Sequence, residues 1–113
     1  MPEMPEVETV RRSLIPLIKG KTIKNVTLWY PNIVASDQSE FVHDLVNKKV
    51  IGIDRYAKYL LIRLSDNLTI VSHLRMEGKY HLVDVDTPKD KHDHVQFEFT
   101  DHTALRYNDV RKF

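Results

Sequence analysis

The chain predicts an α+β protein, a mostly antiparallel two-layer β-sandwich or flattened barrel of about seven to eight strands with two flanking helices. Three observations lead there. Apolar residues recur at helical spacing in only two segments, near residues 6–18 and 39–46. Between Thr22 and Tyr107 the remaining apolar runs are short and alternate with polar residues. Turn-forming clusters such as Ser65-Asp66-Asn67 and Asp101-His102 separate those runs. At 113 residues the chain suffices for one domain and one core, not two.

The first helix is expected from about Glu6 to Ile18, with Val7, Val10, Leu14, Leu17 and Ile18 forming one stripe. Pro5 suits a first turn, where its missing N–H has no intrahelical partner. Glu3, Glu6 and Glu8 stand at the positive end of the helix dipole. Pro16 should disturb the last turn, and Gly20 should end it. Thr22 to Tyr30 then alternates imperfectly as a strand that Pro31-Asn32 terminates. A short helix follows from Ser39 through Val46, with Ser36, Asp37 or Ser39 as its cap. Val50–Arg55, Tyr59–Leu64, Leu68–Leu74 and Gly78–Val85 read as strands. His94–Thr100 should turn Val95, Phe97 and Phe99 inward and His94, Gln96 and Glu98 outward, before a last strand over Thr103–Tyr107. The end, Asp109-Val110-Arg111-Lys112-Phe113, is basic and aromatic without a polar tail, and reads as a cut through a longer protein.

Composition excludes several classes of function. With no cysteine there is no disulfide, no thiol nucleophile and no thiolate metal site. No apolar run approaches the ~18 residues of a membrane span, and the N-terminus has no signal-peptide core, so the cytosol is the default compartment. Seventeen basic residues against 16 acidic ones leave a formal charge of +1. A polyanionic partner would therefore have to meet a local patch.

Met1-Pro2-Glu3 carries chemical meaning if the initiator methionine is removed, which a small second residue such as proline commonly permits. The freed secondary amine of Pro2 would attack an aldehyde carbon and form an iminium that is positively charged without further protonation. An α-amine titrates near ~8, so a useful neutral fraction exists near physiological pH. Glu3 and Glu6 stand close enough in sequence to move the protons that imine chemistry requires. On residue types alone the plainer reading comes first: helix-entry prolines, with glutamates satisfying the dipole.

Four further groups invite the same weighing. Lys58 lies in Arg55-Tyr56-Ala57-Lys58-Tyr59, an interleaving of cations and aromatics that suits a phosphate backbone or equally a solvated face. His73-Leu74-Arg75-Met76-Glu77-Gly78 sits between two strands, and a methionine two residues before glycine at a turn should be more exposed than a core methionine. Arg111 and Phe113, spaced by two, share a face if extended; a flat cation beside an apolar ring makes a wedge for stacked bases or a trimmed core strand. His92 and His94 form a His-x-His pair, yet no third ligand accompanies them and no metal is assigned.

Met-Pro-Glu-Met-Pro-Glu-Val-Glu-Thr-Val-Arg-Arg closely resembles the N-terminus of bacterial formamidopyrimidine-DNA glycosylases. Lys58-Tyr59-Leu60-Leu61, residues 73–78, Lys91-His92-Asp93-His94-Val95 and Arg106-Tyr107-Asn108-Asp109-Val110-Arg111-Lys112-Phe113 are similar to later family motifs, in family order. The similarity covers essentially the whole chain, with Met4 standing where leucine is usual. It implies base-excision repair of double-stranded DNA bearing oxidised purines or abasic sites, with Pro2 as nucleophile, Glu3 as proton donor and Glu6 assisting. It implies a phosphate contact within the catalytic site for Lys58, a phosphate contact for His73, and insertion into the base stack for Met76, Arg111 and Phe113. The family's helix–two-turn–helix and four-cysteine zinc finger are absent from this sequence. Residues 1–113 are thus expected to be the N-terminal catalytic domain. The chain itself would carry no cofactor, a structural zinc belonging to the missing part. The resemblance further implies a bacterial cytosolic or nucleoid protein, taken as a monomer and weakly active or inactive alone. The competing reading is a non-catalytic damaged-DNA-binding module.

Overall fold

Helix α1 (Met4–Ile18) opens the described chain and sets one wall of the core. The structure, a computed structural model, describes residues 4–74 and 77–111, with Met4 and Pro5 described by backbone alone. Val7, Leu14 and Ile18 are buried along one stripe. Leu17, expected in that stripe, is exposed. The helix begins two residues earlier than the periodicity suggests and runs through Pro16. Pro16 lies near the helix end with its ring exposed, and the backbone closes with Lys19 N–H donating to the Ile15 carbonyl at 3.1 Å. The loss is one hydrogen bond on a solvent-facing turn.

Strand β1 (Ile23–Leu28) explains its imperfect alternation: a bulge between Ile23 and Asn25 lets Ile23 and Val26 both point inward. After a single 3-10 turn (Pro31–Ile33), Asp37 caps α2 (Gln38–Leu45), its carboxylate accepting from Glu40 N–H at 2.9 Å. The six remaining strands are β2 (Val50–Tyr56), β3 (Tyr59–Leu64), β4 (Thr69–His73), β5 (Lys79–Asp84), β6 (Asp93–Phe99) and β7 (Thr103–Asn108). All pairings are antiparallel, in one sheet ordered β1-β6-β7-β5 and another ordered β2-β3-β4. The β3–β4 turn places both Asp66 (φ 62°) and Asn67 (φ 61°) in left-handed conformation, matching the twist of a tight hairpin.

The sheets face each other across Leu60, Ile62 and Leu64 on one side and Phe97, Phe99 and Leu105 on the other, all at most 4 % exposed. Each such side chain contributes about 1.5–3 kcal/mol by leaving water. The expectation of an outward, solvated face on β6 is corrected. His94 and Gln96 are buried too, because β6 is an interior strand whose second face is also covered. The Tyr30 ring lies 5.4 Å from His94, and Arg106 donates to the Gln96 side-chain oxygen at 2.8 Å while stacking on Trp29.

The two sheets are joined differently at their two ends. At one end backbone alone stitches them. Gly20 N–H donates to the Val50 carbonyl, Val50 N–H to Lys21, Ile23 N–H to Lys48 and Asn47 N–H to Ile23, each at 2.8 Å. At the other end side chains do it. Ser72 of β4 shares a 2.7 Å hydrogen bond with Tyr80 of β5, and Tyr107 of β7 donates to the Leu74 carbonyl at 3.4 Å. Burial pushes the Tyr80 phenol up to about 12, keeping it neutral.

Ion pairs lock α1 onto β2. Glu8 accepts from Arg11 and Arg12 at 2.8 Å and from Arg55 at 3.3 Å, while Arg11 also donates to the Ile53 carbonyl. These arginines, Arg11 foremost, hold the Glu8 carboxyl at about 2 instead of the ordinary 4.5. Lys21, followed by Thr103, brings Asp101 from 3.8 to about 2. Both folded values lie below the unfolded ones, so each group adds stability above its unfolded value and loses it as pH falls. Thermal melts should therefore show the melting temperature falling as pH drops from about 4.5 to 2. Glu8→Gln should melt lower at neutral pH and fall less steeply in that window; an unchanged slope would refute the role of Glu8.

Ala57 takes φ 52° in the two-residue β2–β3 turn, a region where a side chain is strained. Ala57→Gly relieves that strain but adds freedom to the unfolded chain. Denaturant unfolding should show a net gain of about 0.5–1 kcal/mol, and a loss would exclude strain at this turn.

Candidate nucleic-acid interface

The positions singled out in the sequence gather at the end of the sandwich joined by side chains. Tyr59 pairs with Tyr56 on one side and His73 on the other, so the Ala57-Lys58 turn and His73 share one end of the three-stranded sheet. Lys58 sits exposed at the turn tip, between the two strands. Tyr56 is 73 % and Tyr59 43 % exposed beside it, and the Tyr59 ring meets His73 edge-on at 5.3 Å. A cation between two exposed aromatics can engage both the charge and the stacked bases of a nucleic acid.

Helix α1 runs antiparallel to β2. Its C-terminal end meets Val50 through Gly20, whereas Glu8 and Arg11 lie against Arg55 and Ile53. The first turn of α1, with Glu6 exposed, therefore opens at the end that carries Lys58. Pro2 and Glu3 lie outside the described residues.

The four-stranded sheet reaches the same end through the β5–β7 pair. Lys79 pairs with Asn108 and Tyr80 with Tyr107, and Tyr107 touches Leu74, the residue after His73. Beyond β7 the chain bends away with Arg111 exposed. Residues 110–111 form a bend, and Phe113, like Met76, lies outside the described residues. The described candidates Glu6, Lys58, His73 and Arg111 thus stand at one end on four separate segments.

Sequence reasoning passed over Asp109, which is 0 % exposed. Its carboxylate accepts from the Arg111 N–H at 2.8 Å, fixing the bend after β7. Its carbonyl accepts from His94 Nε2 at 2.7 Å, which sets the tautomer of that buried ring. His92 lies just before β6 and is half-buried, whereas His94 is buried within the strand. The one available signal was an aspartate next to a buried-strand sequence, too common to single out.

One other feature stays apart from this end and a second opens beside it. Asp84, Asp86 and His102 bring ligand atoms within 4.8 Å of one another, but all three are exposed and sit at the opposite end of β5 and β7. A cavity of about 580 Å³ opens along the sheet gap, where Ser72 and Tyr80 spend their hydroxyls on each other. Among the described residues no helix is long and apolar enough to cross a membrane.

Comparison with known proteins converges on one family. A family model described as the formamidopyrimidine-DNA glycosylase N-terminal domain matches residues 1–113. The formamidopyrimidine-DNA glycosylase of Lactobacillus acidophilus is 80 % identical over the whole chain, and that of Bacillus subtilis 54 % identical. The chain spans 41 % of the length of each. Among solved structures, the Lactococcus lactis glycosylase bound non-covalently to DNA containing an abasic site superposes with a TM-score of 0.94. It is 44 % identical over 99 % of this chain and 43 % of its own. A MutM complex with DNA containing carbocyclic 8-oxoguanine matches equally well in shape, with 45 % identity over 99 % of this chain and 42 % of its own. With the family model spanning every residue and relatives at this level of identity, the chain belongs to the formamidopyrimidine-DNA glycosylase family, in its N-terminal domain.

Proposed function

We propose that residues 1–113 form the catalytic N-terminal domain of a base-excision DNA repair enzyme acting on oxidised purines, and that the gathered end is its face toward damaged duplex. The observation that carries this reading is the convergence of Glu6, Lys58, His73 and Arg111 at one end, from segments far apart in sequence. With Met1 removed, the Pro2 amine attacks C1′ of the damaged nucleotide. The base leaves with the electrons of the glycosidic bond and is protonated, Glu3 being the donor and Glu6 assisting. The sugar opens to an iminium on Pro2, and elimination of the 3′ and then the 5′ phosphate leaves a one-nucleotide gap. Covalent capture lets one amine serve both excision and strand cleavage.

Lys58 and His73 bind phosphates around the reacting nucleotide, Lys58 as a point charge at the tip of its turn. Met76, Arg111 and Phe113 fill the space left by the everted nucleotide and face its orphaned partner, offsetting part of the few kcal/mol that extrusion costs. The zinc of the longer family members belongs to segments beyond these residues. The chain has no cysteine to supply a four-thiolate site, and no step here passes through a metal. The 113-residue chain, with only part of the DNA-binding surface of its longer relatives, is expected to bind weakly and cut slowly.

Borohydride trapping tests the chemistry. The Met1-free chain is incubated with a duplex carrying one abasic site, where Pro2 condenses with the C1′ aldehyde, releasing water; hydride then reduces the iminium to a stable amine. An adduct whose mass and peptide map place it on Pro2 is expected. A Met1-free chain that yields none even at high concentration would refute the assignment. Lys58→Ala should weaken binding to damaged and undamaged duplex alike and flatten the slope of log affinity against log salt by about 0.9. An unchanged slope would remove Lys58 from the phosphate contacts.

A further inference from the structure

We infer that the Tyr107 hydroxyl is a positioning group that couples the two loops at the interface, the one closed by Leu74 and Gly78 and the one that turns at Asp109 into Arg111. The inference rests on the functional reading only in giving those loops the task of entering the base stack. The coupling itself stands on a continuous line of hydrogen bonds.

Tyr107 is 5 % exposed in β7, its ring packed edge-on against Tyr80 at 5.2 Å. Among the described residues its hydroxyl faces two acceptors, the Leu74 carbonyl at 3.4 Å and Asp109 Oδ2 at 3.3 Å. Both distances are long for a hydroxyl donor, as expected when one proton is shared between two acceptors. On one side the Leu74 carbonyl also accepts from Gly78 N–H at 2.8 Å, which closes the first loop. On the other, the second carboxylate oxygen of Asp109 accepts from Arg111 N–H at 2.8 Å, which sets the second. The line therefore runs from the Gly78 amide through Leu74, Tyr107 and Asp109 to the Arg111 amide.

Gly78 shows how tightly the junction is built. A Cβ at this position would lie 2.1 Å from the Leu74 carbonyl oxygen and 2.4 Å from the Tyr107 hydroxyl. Space, not backbone conformation, demands glycine there. Asp109 is pinned independently of Tyr107, its N–H donating to the His92 carbonyl at 3.0 Å and its carbonyl accepting from His94. Tyr107 therefore joins the hydrogen-bonded turn at Asp109 to the Leu74–Gly78 hydrogen bond, which lies between β4 of one sheet and β5 of the other. Loops that must enter a duplex together gain from such a link, because ordering one of them pays part of the entropic cost of ordering the other.

The test uses the 113-residue chain and amide exchange read by NMR. Tyr107→Phe keeps the ring and deletes the hydroxyl; it should raise exchange at both the Gly78 and the Arg111 amides by about ten-fold, reporting local opening. Gly78→Ala drives a methyl group into the hydroxyl and should raise exchange at Arg111, a residue that position 78 does not touch among the described contacts. Tyr80→Phe is the control. It deletes a neighbouring buried hydroxyl bonded to Ser72 and should leave both amides within about two-fold once global stability is corrected for.

The inference is overturned if Gly78→Ala leaves Arg111 unchanged, or if Tyr80→Phe moves both amides as far as Tyr107→Phe does. A second measurement ties the coupling to use, with 2-aminopurine placed beside a tetrahydrofuran abasic analogue in a duplex. Brightening at saturating protein should fall at least two-fold in Tyr107→Phe and persist in Tyr80→Phe. If the unsubstituted chain produces no brightening, the functional reading fails, while the exchange data still decide the coupling.

Discussion

Among the described residues the two sheets share no ladder, and everything at the candidate interface depends on how they are nonetheless held face to face. At one end the backbone of residues 20–23 and 47–50 is sewn together by four hydrogen bonds, and the isolated bridge between Thr22 and Lys49 belongs to the same seam. At the other end the work falls to tyrosine hydroxyls reaching from one sheet to the next. Apolar burial between the sheets supplies most of the cohesion but no direction. At the interface end direction comes from the Tyr107 hydroxyl, which has one proton and a narrow range of useful geometry. The face that meets a ligand is therefore built at the end where side chains, not backbone, set the spacing.

The same logic governs α1. A helix packed on a sheet by an apolar stripe can slide or roll with little penalty, because many shifted arrangements bury similar area. The Glu8 cluster removes that freedom. One carboxylate accepts from three arginines, two on the helix and one on β2, while Arg11 also reaches the Ile53 carbonyl. The partly exposed pairs owe little stability to charge alone. Their contribution is register: the first turn of α1 is aimed at the end that holds Lys58. The small net charge of the chain says nothing of this, since it sums over both ends of the molecule.

Most of the architecture was legible in the sequence. Each strand was visible as a short alternating run between turn formers, because half-buried antiparallel strands impose a period of two locally. Asp37 stood among the caps considered for α2 because an N-cap is a contact over three residues. Pattern failed where the cause was not local. A bulge shifted the period within β1, β6 buried the face that alternation had marked as exposed, and Pro16 was accommodated on an exposed turn near the helix end. Lys58, His73 and Arg111 were found as residue types in motifs. Their shared end was not, since it follows from strand register and from how two sheets close.

The sequence by itself determined the elements, their order, the turn chemistry and the family, for these reside in contacts between neighbours and in motifs read in line. Only the tertiary structure decided that Tyr107 meets Leu74, 33 residues away, and that Gly78 must lack a side chain for them to meet. It also decided that Asp109 is buried beneath Arg111's turn. Hydrogen bonds of this kind depend on distances of tenths of an ångström between segments brought together only by the packed core. No local pattern encodes such distances, because the core that sets them is assembled from the whole chain.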